Sequence, residues 1–135
     1  MKLQLIRPGV KFRVCAIDVA DGPDRDCPAV QFLQDVHAHR PDSFKTLSNL
    51  LNFHANEGQI HNTQKSRHLK DGIYEFKSNK NDRLFYFYPK DRAGFTILTH
   101  GYHHQGSHKG NPLDAQVDRA IELRRRYLEE RPDVC

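Results

Sequence analysis

No apolar run in this sequence approaches the roughly 20 residues that a bilayer-spanning helix needs, so no membrane partner is expected. Cysteine is scarce. The three that occur, Cys15, Cys27 and Cys135, are odd in number, far apart and form no C-x-x-C pair. The first residues lack a basic-then-apolar leader pattern. Together these absences predict a reduced, cytoplasmic protein without a disulfide framework. Repeats and low-complexity tracts are missing too. So are H-E-x-x-H, G-x-S-x-G, a catalytic-cysteine signature, a Gly-rich phosphate loop and an RNP-like motif, which removes the best-marked hydrolase, nucleotide-binding and RNA-recognition classes.

What is present fits one domain of 135 residues with a modest core. Hydrophobic residues make up 37% and charged residues 28%, with a mean hydropathy of −0.78, and the apolar positions are grouped periodically. A pI near 9.1 and a net charge of +4 point to an anionic partner, set against the plainer reading of a basic soluble domain. The excess is local. Residues 65–110 carry nine Lys and Arg against four Asp and Glu, while 1–64 carry seven against seven and 111–135 five against six. His68, His100, His103, His104 and His108 fall in the same basic segment.

Along the chain, MKLQLI reads as a short edge strand broken at Pro8-Gly9, and KFRVCAID as a strand with Phe12, Val14 and Ala16 on one face. A loop over 19–26 precedes two helices. The first spans about Cys27 to His39, with Asp26 as its cap and Val30, Leu33 and Val36 as its stripe. The second spans about Ser43 to Asn56, capped by Asp42, with Phe44, Leu47, Leu50 and Leu51 on its apolar side and His54 at the edge of that face. Gly58 suits the positive-φ position that ends it, and the short Arg40-Pro41 link predicts a helical hairpin. A polar connector over 59–66 leads to a three-stranded meander, Ile73–Lys77, Arg83–Tyr88 and Phe95–Tyr102. Leu84, Tyr86 and Tyr88 alternate with Arg83, Phe85 and Phe87, so both faces of the middle strand should be covered. Asn111, Pro112 and Asp114 open a last helix whose buried stripe is Leu113, Val117, Ala120, Ile121, Tyr127 and Leu128, with Arg124–Arg126 read as a solvated face. The expected fold is α+β, an N-terminal strand and the meander forming one antiparallel sheet against a helical hairpin and a C-terminal helix.

Three chemistries compete for the basic segment. The run HGYHHQGSH could bind metal, but it lacks thiolates or a motif that would fix the ligands, and neither metal nor cofactor is expected. Imidazoles can also take and give protons near neutrality. RNA brings its own nucleophile, so a cleaving protein needs a base near the 2′-hydroxyl, cations at the phosphate and a donor for the leaving oxygen. Arg83, Lys77 and Lys109 could neutralise the phosphate, His103 or His104 move protons, and Tyr102 stack on a base. Alternatively the same residues form a binding surface without chemistry.

Taken in order, KSRHLKDGIYEFK, DRLFYFYP, FTILTHGYHHQGSHKGNP and DAQVDRAIELRRRYLEE resemble the phage-derived Gp49-like, HigB-like branch of the RelE/ParE toxin superfamily, over about residues 40–131. The resemblance implies a RelE-like fold and a toxin of a type II toxin–antitoxin pair. Such a toxin is a ribosome-dependent endoribonuclease that cuts mRNA by metal-independent acid–base attack of the 2′-hydroxyl. It is held in check by an antitoxin, often a helix-turn-helix protein. Arg83 then matches the arginine that opens the middle strand and contacts the scissile phosphate, and Lys77 a basic residue on the preceding strand. Tyr102 and His103 match a Tyr-His strand end, with His104 beside them. His68 matches a histidine upstream of the GIYEF strand, and Lys109 a basic residue before the last helix. Arg67 and Lys70 are added as RNA-binding candidates. Glu75 stands where RelE itself is basic, and histidines stand where the phage-derived members carry two lysines. ParE-like relatives share the fold and act on DNA gyrase instead, so a gyrase-directed toxin and a non-toxic RNA- or protein-binding module remain as alternatives.

Overall fold

The structure, a computed structural model, describes residues 1–19, 27–78, 81–104 and 112–135. The expected caps Asp26 and Asn111, together with Lys109 and His108, lie outside the described residues. The elements run β1 (Lys2–Arg7), β2 (Arg13–Asp18), α1 (Pro28–His39), α2 (Pro41–Glu57), β3 (Ser66–His68), β4 (Tyr74–Lys77), β5 (Asp82–Phe87), β6 (Phe95–His103) and α3 (Pro112–Glu130). They form an α+β fold in which six strands make one sheet in the order β1-β2-β6-β5-β4-β3.

The sheet is mixed, which corrects the expected all-antiparallel arrangement. β2 runs parallel to β6, with Arg13 opposite Phe95 and Ala16 opposite Leu98, and every other neighbouring pair is antiparallel. The two inner strands β2 and β6 are joined through the whole helical and meander region, so their pairing is set by tertiary packing and not by a local turn. Ser66, assigned to the connector by its polarity, instead begins the short edge strand β3.

The alternation of β5 determines the layering. Leu84 and Tyr86 face α1 and α2, packing with Val14, Ala16, Val36, Leu47, Leu51 and Phe76. Phe85 and Phe87 face α3, packing with Cys15, Ile17, Val117, Ala120, Leu123 and Tyr127. On α3 the stripe differs from expectation at one turn. Leu123 is buried and Leu128 is 42% exposed. Arg125 pairs in solvent with Glu122 and Glu129, while Arg124 lies over the Phe87 ring at 5.8 Å. His54, expected at the edge of the α2 face, is fully buried, stacked on Phe12 and bonded to the Thr96 hydroxyl at 2.8 Å.

A single residue separates the two N-terminal helices. Pro41 occupies the first turn of α2, and Arg40, at φ −139° and ψ 67°, ends α1 and caps α2. A proline disfavours the helical region for the residue before it, which puts the break at Arg40. Asp42, expected as the cap, therefore sits inside the first helical turn, where its charge suits the helix dipole. Gly58 ends α2 at φ 109°, as its position required.

The expectation of free thiols is corrected as well. Cys15 on β2 and Cys135 form a disulfide across 120 residues, with Cα atoms 6.2 Å apart, inside the range a bridge can span. The tail after α3 returns along the sheet, where Arg13 Nε donates to the Cys135 carbonyl at 3.0 Å. Cys27 is free and buried. No helix among the described residues is long and apolar enough to cross a membrane.

Candidate functional site

One extra residue in β6 decides which side chains meet. Tyr86 pairs with Leu98 and Leu84 with Gly101, so Phe85 alone opposes both Thr99 and His100. This β-bulge resets the alternation of the strand. Before it, Ile97 faces α3 and Leu98 faces the helix pair. After it, His100 turns toward α3, its ring 4.9 Å from Phe85 and its Nε2 3.0 Å from Gln116 Oε1. Tyr102 follows onto that face. Gly101 and His103 turn to the other. Gly101 carries the ring of Phe32 from α1 directly on its Cα, and a Cβ there would overlap that ring.

On the α3 face, beyond the end of the helix stripe, cations gather around one buried carboxylate. Glu75 has no exposed side-chain surface. Arg83 Nη1 donates to its two oxygens at 2.8 and 3.0 Å, and Arg67 Nε donates at 2.8 Å. Lys77, the register partner of Arg83 on β4, joins them. Burial lowers the Lys77 pKa, and the charges of Arg67, Arg83 and Lys65 lower it further against a partial offset from Glu75. Lys77, Arg83, Gln64, Ser78 and Asn81 line a cleft of about 260 Å³. Tyr102 is the β6 register partner of Arg83, and the His104 ring meets Tyr102 edge-on with centroids 6.1 Å apart. The chemical capacity of this end is anion binding. A fork of Arg83 is held in place by Glu75, a lysine sits in a like-charged neighbourhood, and an aromatic ring lies beside them.

The opposite face of the same strand ends carries a second polar cluster. Asp82 is fully buried yet accepts from Arg40 Nε at 2.9 and 3.1 Å, from Arg40 Nη2 at 2.9 Å, and from the Ser43 hydroxyl at 2.5 Å. His103 Nδ1 lies 2.9 Å from Asp82 Oδ1. Burial by itself would raise the Asp82 pKa, but the bonds from Arg40, Ser43 and His103 outweigh it and hold the carboxyl below its ordinary range. His103 keeps 27% of its side chain exposed.

The residues singled out from sequence thus divide into groups. Arg67, Lys77, Arg83, Tyr102 and His104 come together on the α3 side. His103 stands at the same strand end but on the other face. His68 is exposed on β3 against the Tyr74 ring at 4.9 Å, also on the helix-pair face. Lys70 makes an exposed ion pair with Asp118 of α3 at 3.3 Å. Sequence reading missed Lys65, and it missed Asp82, Arg40 and Ser43 altogether. The signal for Arg40 was its place before Pro41, and that for Asp82 its place at the start of a strand that pairs with HGYHH. Among the described residues no three His, Cys, Asp or Glu side chains gather where they could hold a metal ion. The chain matches no protein-family model and no curated protein.

Proposed function

We propose that this protein is a RelE/HigB-like toxin of a type II toxin–antitoxin pair, an endoribonuclease that cuts mRNA on the ribosome. The observation that carries the reading is the grouping of Lys77, Arg83 and Arg67 with Tyr102 at one open end of the sheet, where the resemblance expects a phosphate-binding centre. RNA cleavage here proceeds by attack of the 2′-oxygen on the neighbouring phosphorus with loss of the 5′-oxygen. A base takes the 2′-hydroxyl proton and an acid supplies one to the leaving oxygen, so the reaction consumes no cofactor. Arg83 and Lys77 neutralise the phosphate, Tyr102 offers a base-stacking surface, and His103 and His104 are the proton-transfer groups.

The reading places the protein in the cytoplasm with a cognate antitoxin, a helix-turn-helix protein in the usual arrangement. There the Cys15–Cys135 bond meets a reducing thiol pool. Induced expression is expected to arrest growth and to leave codon-aligned breaks in message, with Arg83 and His103 substitutions relieving both. Normal growth with confirmed expression of folded protein would refute it.

One observation favours a second reading. His103 faces away from Arg83, as expected for a surface that binds a polyanion without cutting it. Intact messages together with RNA retention would support that module. Intact messages with a DNA-damage response would instead point to a gyrase-directed toxin.

A further inference from the structure

Asp82 is the most heavily bonded carboxylate among the described residues, and nothing in the phosphate-binding cluster needs it. It is fully buried at the first position of β5, and its carboxylate meets donors from Arg40 between α1 and α2, from Ser43 on α2 and from His103 on β6. Its backbone N–H also bonds the Ser78 hydroxyl at 3.1 Å, and Ser78 and Ser43 share a hydrogen bond of 2.5 Å. Removing a partner from such a group is strongly destabilising, whereas an apolar replacement of the whole set is often neutral. Stability alone is therefore a weak reason to build it.

The ordering of these partners has a chemical consequence for His103. An ionised carboxylate only accepts hydrogen bonds, so the His103 nitrogen that faces it, Nδ1, carries a proton. In the neutral ring the other nitrogen, Nε2, is then the acceptor. Nε2 lies on the ring edge away from the nitrogen that meets the carboxylate, and the side chain as a whole keeps 27% of its surface exposed. Arg40 and Ser43 saturate the other lone pairs of Asp82 and fix its plane. This is the arrangement of an imidazole kept in one tautomer with its basic nitrogen outward.

Resting on the toxin reading above, we infer that His103 is the general base of the cleavage, with Asp82, Arg40 and Ser43 as its positioning residues. The placement suits in-line displacement. The entering 2′-oxygen and the leaving 5′-oxygen stand on opposite sides of the phosphorus. Asp82 and Arg83 are adjacent on β5, as His103 and Tyr102 are on β6, and at this rim each pair sends its side chains to opposite faces. A strand of RNA crossing the rim would then have its 2′-hydroxyl proton taken by His103 Nε2 from one side. The phosphate would be held by Arg83 and Lys77, and the leaving oxygen protonated from the Tyr102–His104 side.

The test joins a spectroscopic and a kinetic readout on the full chain. Long-range ¹H–¹⁵N spectra of the histidine rings, taken at a pH where they are neutral, should show His103 protonated on Nδ1. In Asp82→Asn with the amide oxygen on Ser43 and Arg40 Nε, the NH₂ takes the Oδ1 place that both His103 Nδ1 and Arg40 Nη2 face. Arg40 Nη2 must then turn away, and the tautomer should invert to Nε2–H. Cleavage of message on programmed ribosomes should then fall by ~100-fold or more, while retention of message by the protein–ribosome complex is unchanged. His103→Gln should lose as much, and the double variant no more than either. A wild-type His103 protonated on Nε2 overturns the inference, even if Asp82→Asn does not fold. So does an inverted tautomer with full cleavage. If the wild-type protein cuts no message at all, the toxin reading falls and this inference with it, whereas the other two outcomes remove only the role of His103.

Discussion

Arg83 and Tyr102 are direct register partners across β5 and β6, and both turn to the α3 face of the sheet. They do so because one bulge at Thr99–His100 shifts the alternation of β6. Without it Tyr102 would face the helix pair and His103 would stand beside Arg83. A single inserted residue therefore decides which side chains share the cationic cluster around Glu75.

Within that cluster Lys77 is the cleanest probe. Arg83→Ala would leave the buried Glu75 with Arg67 as its remaining arginine, and breaking such a pair costs ~3–5 kcal/mol. Lys77 carries no such obligation. Lys77→Ala is expected to change stability by no more than about 0.5 kcal/mol. It should weaken RNA binding and lower the slope of log K against log[salt] by about 0.7, the value for one contact to a single strand. Binding titrations at several salt concentrations check this.

Acid sensitivity should report on His54. Its burial pushes the ring from an ordinary value near 6.5 down to about 4. The folded chain then binds fewer protons than the unfolded chain between those values. The contribution of His54 is complete above pH 6.5 and is lost as pH falls toward 4, by on the order of 3 kcal/mol. Urea midpoints measured from pH 7 to pH 4 should follow this loss. His54→Gln, which can still bond Thr96 but does not titrate, should flatten that part of the curve. Asp82, held below its ordinary range, adds a separate loss at still lower pH.

Gly101→Ala should destabilise by about 1–3 kcal/mol, because the new methyl meets the Phe32 ring against a sheet that cannot retreat. Trimming the ring with Phe32→Ala should recover part of that cost in the double variant, so that the two changes are not additive. Chemical denaturation of the four proteins checks the cycle.

Reduction of Cys15–Cys135 should lower stability by about 2–4 kcal/mol, since the bond closes a loop of some 120 residues in the unfolded chain. Cys135→Ser should unfold at the same temperature with and without reductant, and that temperature should match the reduced wild type.

The features legible from sequence were those written in short-range pattern. Alternation in RLFYFY shows a strand covered on both faces, and Phe85 and Tyr86 do pack under different helices. Pro112 marks a helix start and Arg40-Pro41 a helix break because proline acts on its own neighbours, although the second helix begins at Pro41 itself and not at Ser43. Pairing of β2 with β6 was not legible, since nothing local distinguishes a parallel partner eighty residues away from an isolated edge strand. The face of His103 was hidden by the bulge, because a strand read with strict period two carries no mark of an inserted residue. Asp82 was hidden for another reason. Its environment is assembled from Arg40, Ser43, Ser78 and His103, which lie in three separate parts of the chain. Cys135 reaches Cys15 only because the tail folds back along the sheet.

The most direct measurement is to map the 5′ ends of messages after inducing the wild-type protein and, in parallel, Arg83→Ala confirmed as folded. If this is a ribosome-dependent endoribonuclease, new ends will appear within translated regions at a fixed position relative to the codon frame, and they will vanish in the variant. Growth arrest without new ends, or ends that persist undiminished with folded Arg83→Ala, would contradict it.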